Sequence, residues 1–183
     1  FPAVKVQENY EDIEDIIRMC QMRIRVPVQW RGDFLAMIGA ARIGEREVLA
    51  MADEYGWETL HTFSGEWFDY SEKVMIAAIK KMPSGSATAT STHDPVLGTP
   101  EGGIPIKVGV KIDSKNARIE VDLRDNPDAM PCGLNLSEAC ARTGAMIGVF
   151  NSIEDLVPTN AGSFRRLKVH IREGCVAGGG KHP

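Results

Sequence analysis

The stretch from Arg118 to Phe150 reads RIEVDLRDNPDAMPCGLNLSEACARTGAMIGVF, and its changes of period decide the fold. Ile119, Val121 and Leu123 alternate with Arg118, Glu120, Asp122 and Arg124, the pattern of a half-buried strand. Asp125 to Gly133 is too rich in Pro, Asn and Asp to continue a ladder, so it reads as a turn region. From about Leu136 the period becomes helical, aligning Leu136, Cys140, Thr143, Ile147 and Phe150, while Gly144, Ala145 and Gly148 let another backbone come close. A strand, a polar loop and a helix with a small-residue face make a wall for a site.

Upstream, Ile106, Val108, Val110 and Ile112 alternate, and Asp113-Ser-Lys-Asn116 turns the chain back into the strand at Arg118, predicting an antiparallel hairpin. Its Val108, Val110, Ile119 and Val121 are expected to face the helix from Leu136. Ser86 to Thr92 is a small, Thr-rich strand candidate, followed by a loop from His93 to Gly103. Beyond the helix, Pro158 to Gly162 is loop, and Leu167, Val169 and Ile171 alternate in a further strand. The strands are expected to form an antiparallel sheet with one face covered by the helix.

The first half reads as helical. Asn9 is a candidate N-cap for an amphipathic helix carrying Ile13, Ile16, Ile17 and Cys20 to about Met22, with Pro27 ending it. A second helix is expected to open near Arg31-Gly32-Asp33 and stop at Gly56, with Met37, Ala41, Gly44, Val48, Met51 and Tyr55 on one face. A third, from about Leu60 to Lys81, aligns Phe63, Trp67, Tyr70, Val74 and Ala77, and Met82-Pro-Ser-Gly85 ends it. Both stripes read most simply as helix-packing core. The fold class is therefore α+β, an N-terminal helical segment of about three helices (1–83) followed by an antiparallel sheet plus helix (84–183).

Composition narrows the function classes. A net charge of -4 gives no electrostatic case for nucleic acid or an anionic membrane. No apolar run approaches the roughly 20 residues of a spanning helix. Cys20, Cys132, Cys140 and Cys175 form no C-x-x-C pair, which reads as reduced cysteines in a cytoplasmic protein, with no metal assigned. The missing initiator Met at Phe1 and the run Gly178-Gly-Gly-Lys-His-Pro183 lead us to expect a piece of a longer protein.

Three polar clusters are candidates for chemistry. Arg31 and the amides of a helix start could hold an anion beside Asp33, or simply form a capped helix with a surface ion pair. His93-Asp94 could act as acid/base or be a solvated pair. Asp122, Asp125 and Asn126, with Asn135 and Asn160, could position a polar ligand, or be turn residues. Asn135 could also cap the following helix. No Walker-type loop, G-x-S-x-G, H-E-x-x-H or Rossmann fingerprint occurs.

Several runs in order resemble the hydantoinase B/oxoprolinase family. They are Arg31-Gly-Asp-Phe-Leu-Ala-Met-Ile-Gly-Ala-Ala-Arg-Ile-Gly-Glu-Arg46, Met82-Pro-Ser-Gly85, Ile119-Glu-Val-Asp-Leu123, Gly133-Leu-Asn135, Val157-Pro-Thr-Asn-Ala-Gly-Ser-Phe-Arg165 and Lys168-Val-His-Ile-Arg-Glu-Gly174. The resemblance implies part of a larger subunit working with a hydantoinase A-type partner in a hetero-oligomer on a small-molecule substrate. Such enzymes, N-methylhydantoinase among them, use ATP to open cyclic amides such as hydantoins, oxoproline or lactams, or carboxylate ketones such as acetone or acetophenone. ATP with Mg is expected mainly on the partner, and a divalent metal on residues outside this chain. The resemblance suggests Asp33, Asp122 and Asn135 as site-lining catalytic groups, with Arg31, Arg165 and Asn160 contacting substrate or anion. The chain alone is expected to be inactive. Met37, Arg124-Asp125-Asn126 and Pro131-Cys132 depart from the family pattern and lean slightly toward the carboxylase branch. A non-catalytic subunit-assembly module is the alternative reading.

Overall fold

The computed structural model describes residues 4–153 and 156–179; residues 1–3 and 180–183, which include the two termini read above, lie outside them. The chain forms two compact units, Phe1–His61 and Thr62–Pro183, and the boundary falls inside a helix rather than at the Met82-Pro-Ser-Gly85 turn.

In the first unit, Gln7–Glu8 (β1) and Glu11–Asp12 (β2) make a small antiparallel hairpin. Asn9 does not cap a helix. It and Tyr10 take positive φ, 49° and 70°, the conformation that a two-residue hairpin turn requires and that Asn tolerates well. Helix α1 (Glu14–Arg23) follows with Ile17 and Cys20 buried. Helix α2 (Pro27–Tyr55) begins earlier than expected, because Pro27 occupies its first turn, where its missing N–H costs nothing. Arg31-Gly32-Asp33 therefore lies inside the helix and exposes no helix-start amides. Gly56 stops α2 with a φ of 83° and an N–H bond to the Ala52 carbonyl, as expected. The stripe does not form a core in these units: Met37, Val48, Met51 and Tyr55 of α2 are exposed.

Helix α3 (Trp57–Lys81) crosses the unit boundary. Its Phe63, Trp67 and Tyr70 stack along the helix but remain exposed, whereas Met75, Ala78 and Ile79 are buried. In the second unit, β3 (Gly85–His93), β4 (Ile104–Asp113), β5 (Arg118–Asp122) and β6 (Leu167–His170) form a four-stranded sheet in that order. Helices α4 (Glu138–Asn151) and α5 (Ala161–Phe164) lie between β5 and β6 in sequence.

The predicted hairpin is present, with Val110 opposite Val121 and Ile112 opposite Ile119. Asp113 accepts from the Asn116 N–H at 2.9 Å and closes its turn. The α+β class holds, but the sheet is mixed: β6 runs parallel to β5, pairing Ile119 with Leu167 and Asp122 with His170. Alternation assigns a strand's faces but not its direction. The direction follows from the helical crossover, which lets parallel neighbours join.

Ile119, Val121, Leu123 and Val169 bury one sheet face against Ala141 and Val149 of α4 and Met75 and Ile79 of α3. The covering layer thus includes the end of the third helix as well as α4. A smaller cluster of Ile104, Cys175, Val176 and Ala177 closes the end of the sheet under Met130, Cys132 and Leu134. Val121 is 3% exposed, so Val121→Asp would bury an unpaired carboxylate. We expect a loss of about 3–5 kcal/mol of stability, read by urea denaturation.

Candidate functional site

Alternation along β5 turns Glu120 and Asp122 to the sheet face opposite the core. The parallel register adds Lys168 beside Glu120 and His170 beside Asp122, and β4 adds Lys111. His170 Nε2 lies 2.7 Å from Glu120 Oε2, and both side chains are partly exposed. The imidazole at Glu120 holds that carboxyl below the usual range. Asp122 is gripped by Arg124, whose Nε and Nη2 donate at 2.9 and 2.6 Å and whose backbone N–H donates at 3.0 Å. These bonds lower the Asp122 carboxyl from 3.8 to about 2. An imidazole hydrogen-bonded to a carboxylate can carry a proton, and the neighbouring Asp122 is a fixed negative charge. Sequence reading did not single out His170, because its partner stands 50 residues away.

The loop after β5 is braced from within. Asn126, 5% exposed, imitates a further strand residue: its Oδ1 accepts from Lys107 N–H at 2.7 Å and its Nδ2 donates to the Lys107 and Leu123 carbonyls. Arg172 donates to the Arg124 and Asn126 carbonyls and to Asp128. Asn135 does not cap α4. Its Oδ1 accepts from Met130 N–H at 2.9 Å, and its Nδ2 donates to the Met130 and Cys132 carbonyls at 2.7 and 3.0 Å. Ser137 is the cap, accepting from Cys140 N–H.

Asn160 and Arg165 are brought together on one stretch of α3. Asn160 caps α5 and donates to Ser71 at 2.8 Å, while Arg165 pairs with Asp69 and Glu72, each at 2.8 Å. A Cβ at Gly162 would strike the Phe68 carbonyl, so only glycine allows this approach. Arg31 and Asp33 belong to the first unit, half-buried and exposed respectively along α2. Of the six sequence candidates, Asp122, Asn135, Asn160 and Arg165 thus belong to the second unit. His93 bonds the Asp94 backbone carbonyl at 2.8 Å rather than a carboxylate.

The remaining feature is a cavity of about 630 Å³ between the buried sheet face and α4. Val108, Val110 and Ile112 form one wall and Gly144, Ala145 and Gly148 the other. It is almost wholly apolar. Among the described residues, no three His, Cys, Asp or Glu side chains are grouped to hold a metal ion. No helix among them is long and apolar enough to cross a membrane.

The family model for hydantoinase B/oxoprolinase matches residues 1–179. The chain belongs to this family. It is 30% identical over 184 residues to a D-/L-hydantoinase B-type subunit from Pseudomonas sp. (strain NS671), and 25% identical over 171 residues to the beta chain of the caprolactamase of Pseudomonas jessenii. These matches take in 96% and 93% of the chain but only 31% and 29% of the relatives, so the chain spans under a third of their length. In fold, this family member is similar to the ATP-dependent caprolactamase of P. jessenii, with a TM-score of 0.77 at 23% identity over 100% of the chain and 31% of that structure. It is also similar to a nucleotide-free acetone carboxylase, with a TM-score of 0.75 at 15% identity over 96% of the chain and 24% of that structure.

Two outcomes follow from the geometry. Asn135→Ser removes the clamp between Met130 and Cys132 while leaving the Ser137 cap in place. It should cost about 1–3 kcal/mol in a denaturant melt, with helix content unchanged by circular dichroism. Asp122 ionises more readily in the fold than in the unfolded chain, so its contribution is present above pH 3.8 and lost as pH falls through about 2. Its side chain is 40% exposed, and screening keeps the contribution under about 1 kcal/mol. Arg124→Ala should lower stability at pH 7, with the difference from wild type closing toward pH 2 in urea melts.

Proposed function

We propose that this chain is a segment of a hydantoinase B-type subunit in an ATP-dependent enzyme that hydrolyses a cyclic amide such as a hydantoin, oxoproline or lactam. The supporting observation is the 30% identity, across nearly the whole chain, to a B-type hydantoinase relative. The likeness to acetone carboxylase, at 15% identity, is one of fold, so ketone carboxylation is the weaker assignment.

The described residues do not fit Mg-ATP. The large cavity is lined mainly by Val, Ile, Leu, Ala and Gly, with His93 and Ser152 its few polar side chains, too few to hold a triphosphate, and the carboxylates of Asp122 and Glu120 are tied to Arg124 and His170. We assign the nucleotide to the hydantoinase A-type partner of a cytoplasmic hetero-oligomer. This chain would supply His170 as the proton carrier, oriented by Glu120, and Asp122, held ionised by Arg124, as an acceptor whose remaining lone pair takes a hydrogen-donating part of the substrate. Asp33, as a catalytic group, and Arg31, as an anion contact, are assigned to the same enzyme without a shared geometry with His170.

The internal bonds of Asn135, Asn160 and Arg165 favour a second reading, in which the chain serves assembly alone. Assay of the complete subunit with its partner separates the two. His170→Gln and Asp122→Asn should each lower kcat by about 10²-fold or more while the complex assembles and melts normally. Wild-type rates for both, and for Asp33→Asn, would leave the assembly role.

A further inference from the structure

The sheet ends on one side at β3, and this edge lacks the usual protections against pairing. Its nine residues pair with β4 rung by rung, from Gly85 with Ile112 to His93 with Ile104, without a bulge. The strand reads GSATATSTH and holds no Pro, Lys, Arg, Asp or Glu, and every residue in it is exposed. Sheet edges that stay open in solution are shortened, charged, bulged or interrupted by proline. The opposite edge, β6, is four residues long and carries Lys168 and His170.

The cavity adjoins this edge. Ala87, Ala89 and Ser91 stand opposite Val110, Val108 and Ile106, and directly paired residues share a face, so these small side chains continue the cavity's sheet wall. A Cβ added at Gly144 or Gly148, on the helical wall, would meet nothing.

We propose that β3 takes a further strand, an uncharged extended segment of the same hydantoinase B-type polypeptide, whose apolar side chains on one face enter the cavity over α4. This rests on the chain being a segment of such a subunit. A small apolar ligand could fill the cavity but would leave the outward N–H and C=O groups of β3 unpaired, whereas a strand satisfies both. A second copy joined through β3 would present Gly85, Ala87, Ala89, Ser91 and His93 on this face, with no large apolar side chain among them to fill about 630 Å³. Relatives more than three times as long have the chain to supply the segment, since the match takes in 31% and 29% of their length. With no lysine or carboxylate on β3 to select a charged strand, an uncharged one fits best.

Hydrogen exchange on the complete subunit tests the idea without measuring turnover, so it can fail while the cyclic-amide reading stands, and the reverse. At an open edge every second amide of residues 85–93 exchanges freely. The expected result is slow exchange along the whole strand, with the outward amides slowed at least about 100-fold. Ala89→Arg, on the cavity face, should restore fast exchange at those amides, and Thr88→Arg, on the other face, should not. Alternating fast exchange in the wild-type subunit would overturn the proposal. So would protection that requires dimer formation with rising concentration, or that appears only on adding the hydantoinase A-type subunit. If Ala89→Arg does not fold, the wild-type pattern alone decides.

Discussion

Strand β5 must satisfy two neighbours of opposite direction at once. It pairs antiparallel with β4 and parallel with β6 while burying Ile119 and Val121 on a single face. Two consequences are forced. The connection to β4 can be a tight turn, closed by Asp113 and Asn116, but the connection to β6 has to cross over the sheet. The crossover carries α4 back over the buried face, and the same face receives Met75 and Ile79 from α3. The polar face is then left to Glu120, Asp122, Lys168 and His170, which the register of β6 on β5 brings side by side.

How much of this could be read in advance depends on whether a signal is local. The β4–β5 hairpin and α4 were legible because alternation and helical period each lie within a dozen residues. The start of α2 was not, since Pro27 both ends one helix and suits the first turn of the next. The stripe of Met37, Val48 and Met51 aligned as periodicity required, yet it lies exposed, because periodicity says which residues share a face and not what covers them. Asn9 carried two meanings, cap and left-handed turn, and the hairpin at Gln7–Asp12 took the second.

The site was legible only in part. Asp122 stood out as a carboxylate near a strand end, and its partner Arg124 is two residues away. The pairing of His170 with Glu120 depends on inter-strand register, which no spacing in the chain records. Asn135 and Asn160 drew notice as polar residues near turns and Arg165 through the family resemblance, and each is occupied by the fold: one closes its own loop and two fasten α5 and the turn after it to α3. Buried or half-buried amides in tight loops are as often replacements for missing backbone partners as ligands for a substrate.

The grip of Arg124 on Asp122 also limits what a pH–rate profile of the assembled enzyme could reveal. A carboxyl that titrates near 2 has given up its proton throughout the range in which enzymes are ordinarily assayed. An inflection between pH 5 and 8 would therefore belong to some other group, and Asp122 would act as a constant background field beneath it. Arg124 itself stands in the turn where the family resemblance expects small residues, so relatives without a guanidinium there would hold the equivalent carboxylate less firmly. Their acid limbs would then begin at higher pH than that of an enzyme built with this chain.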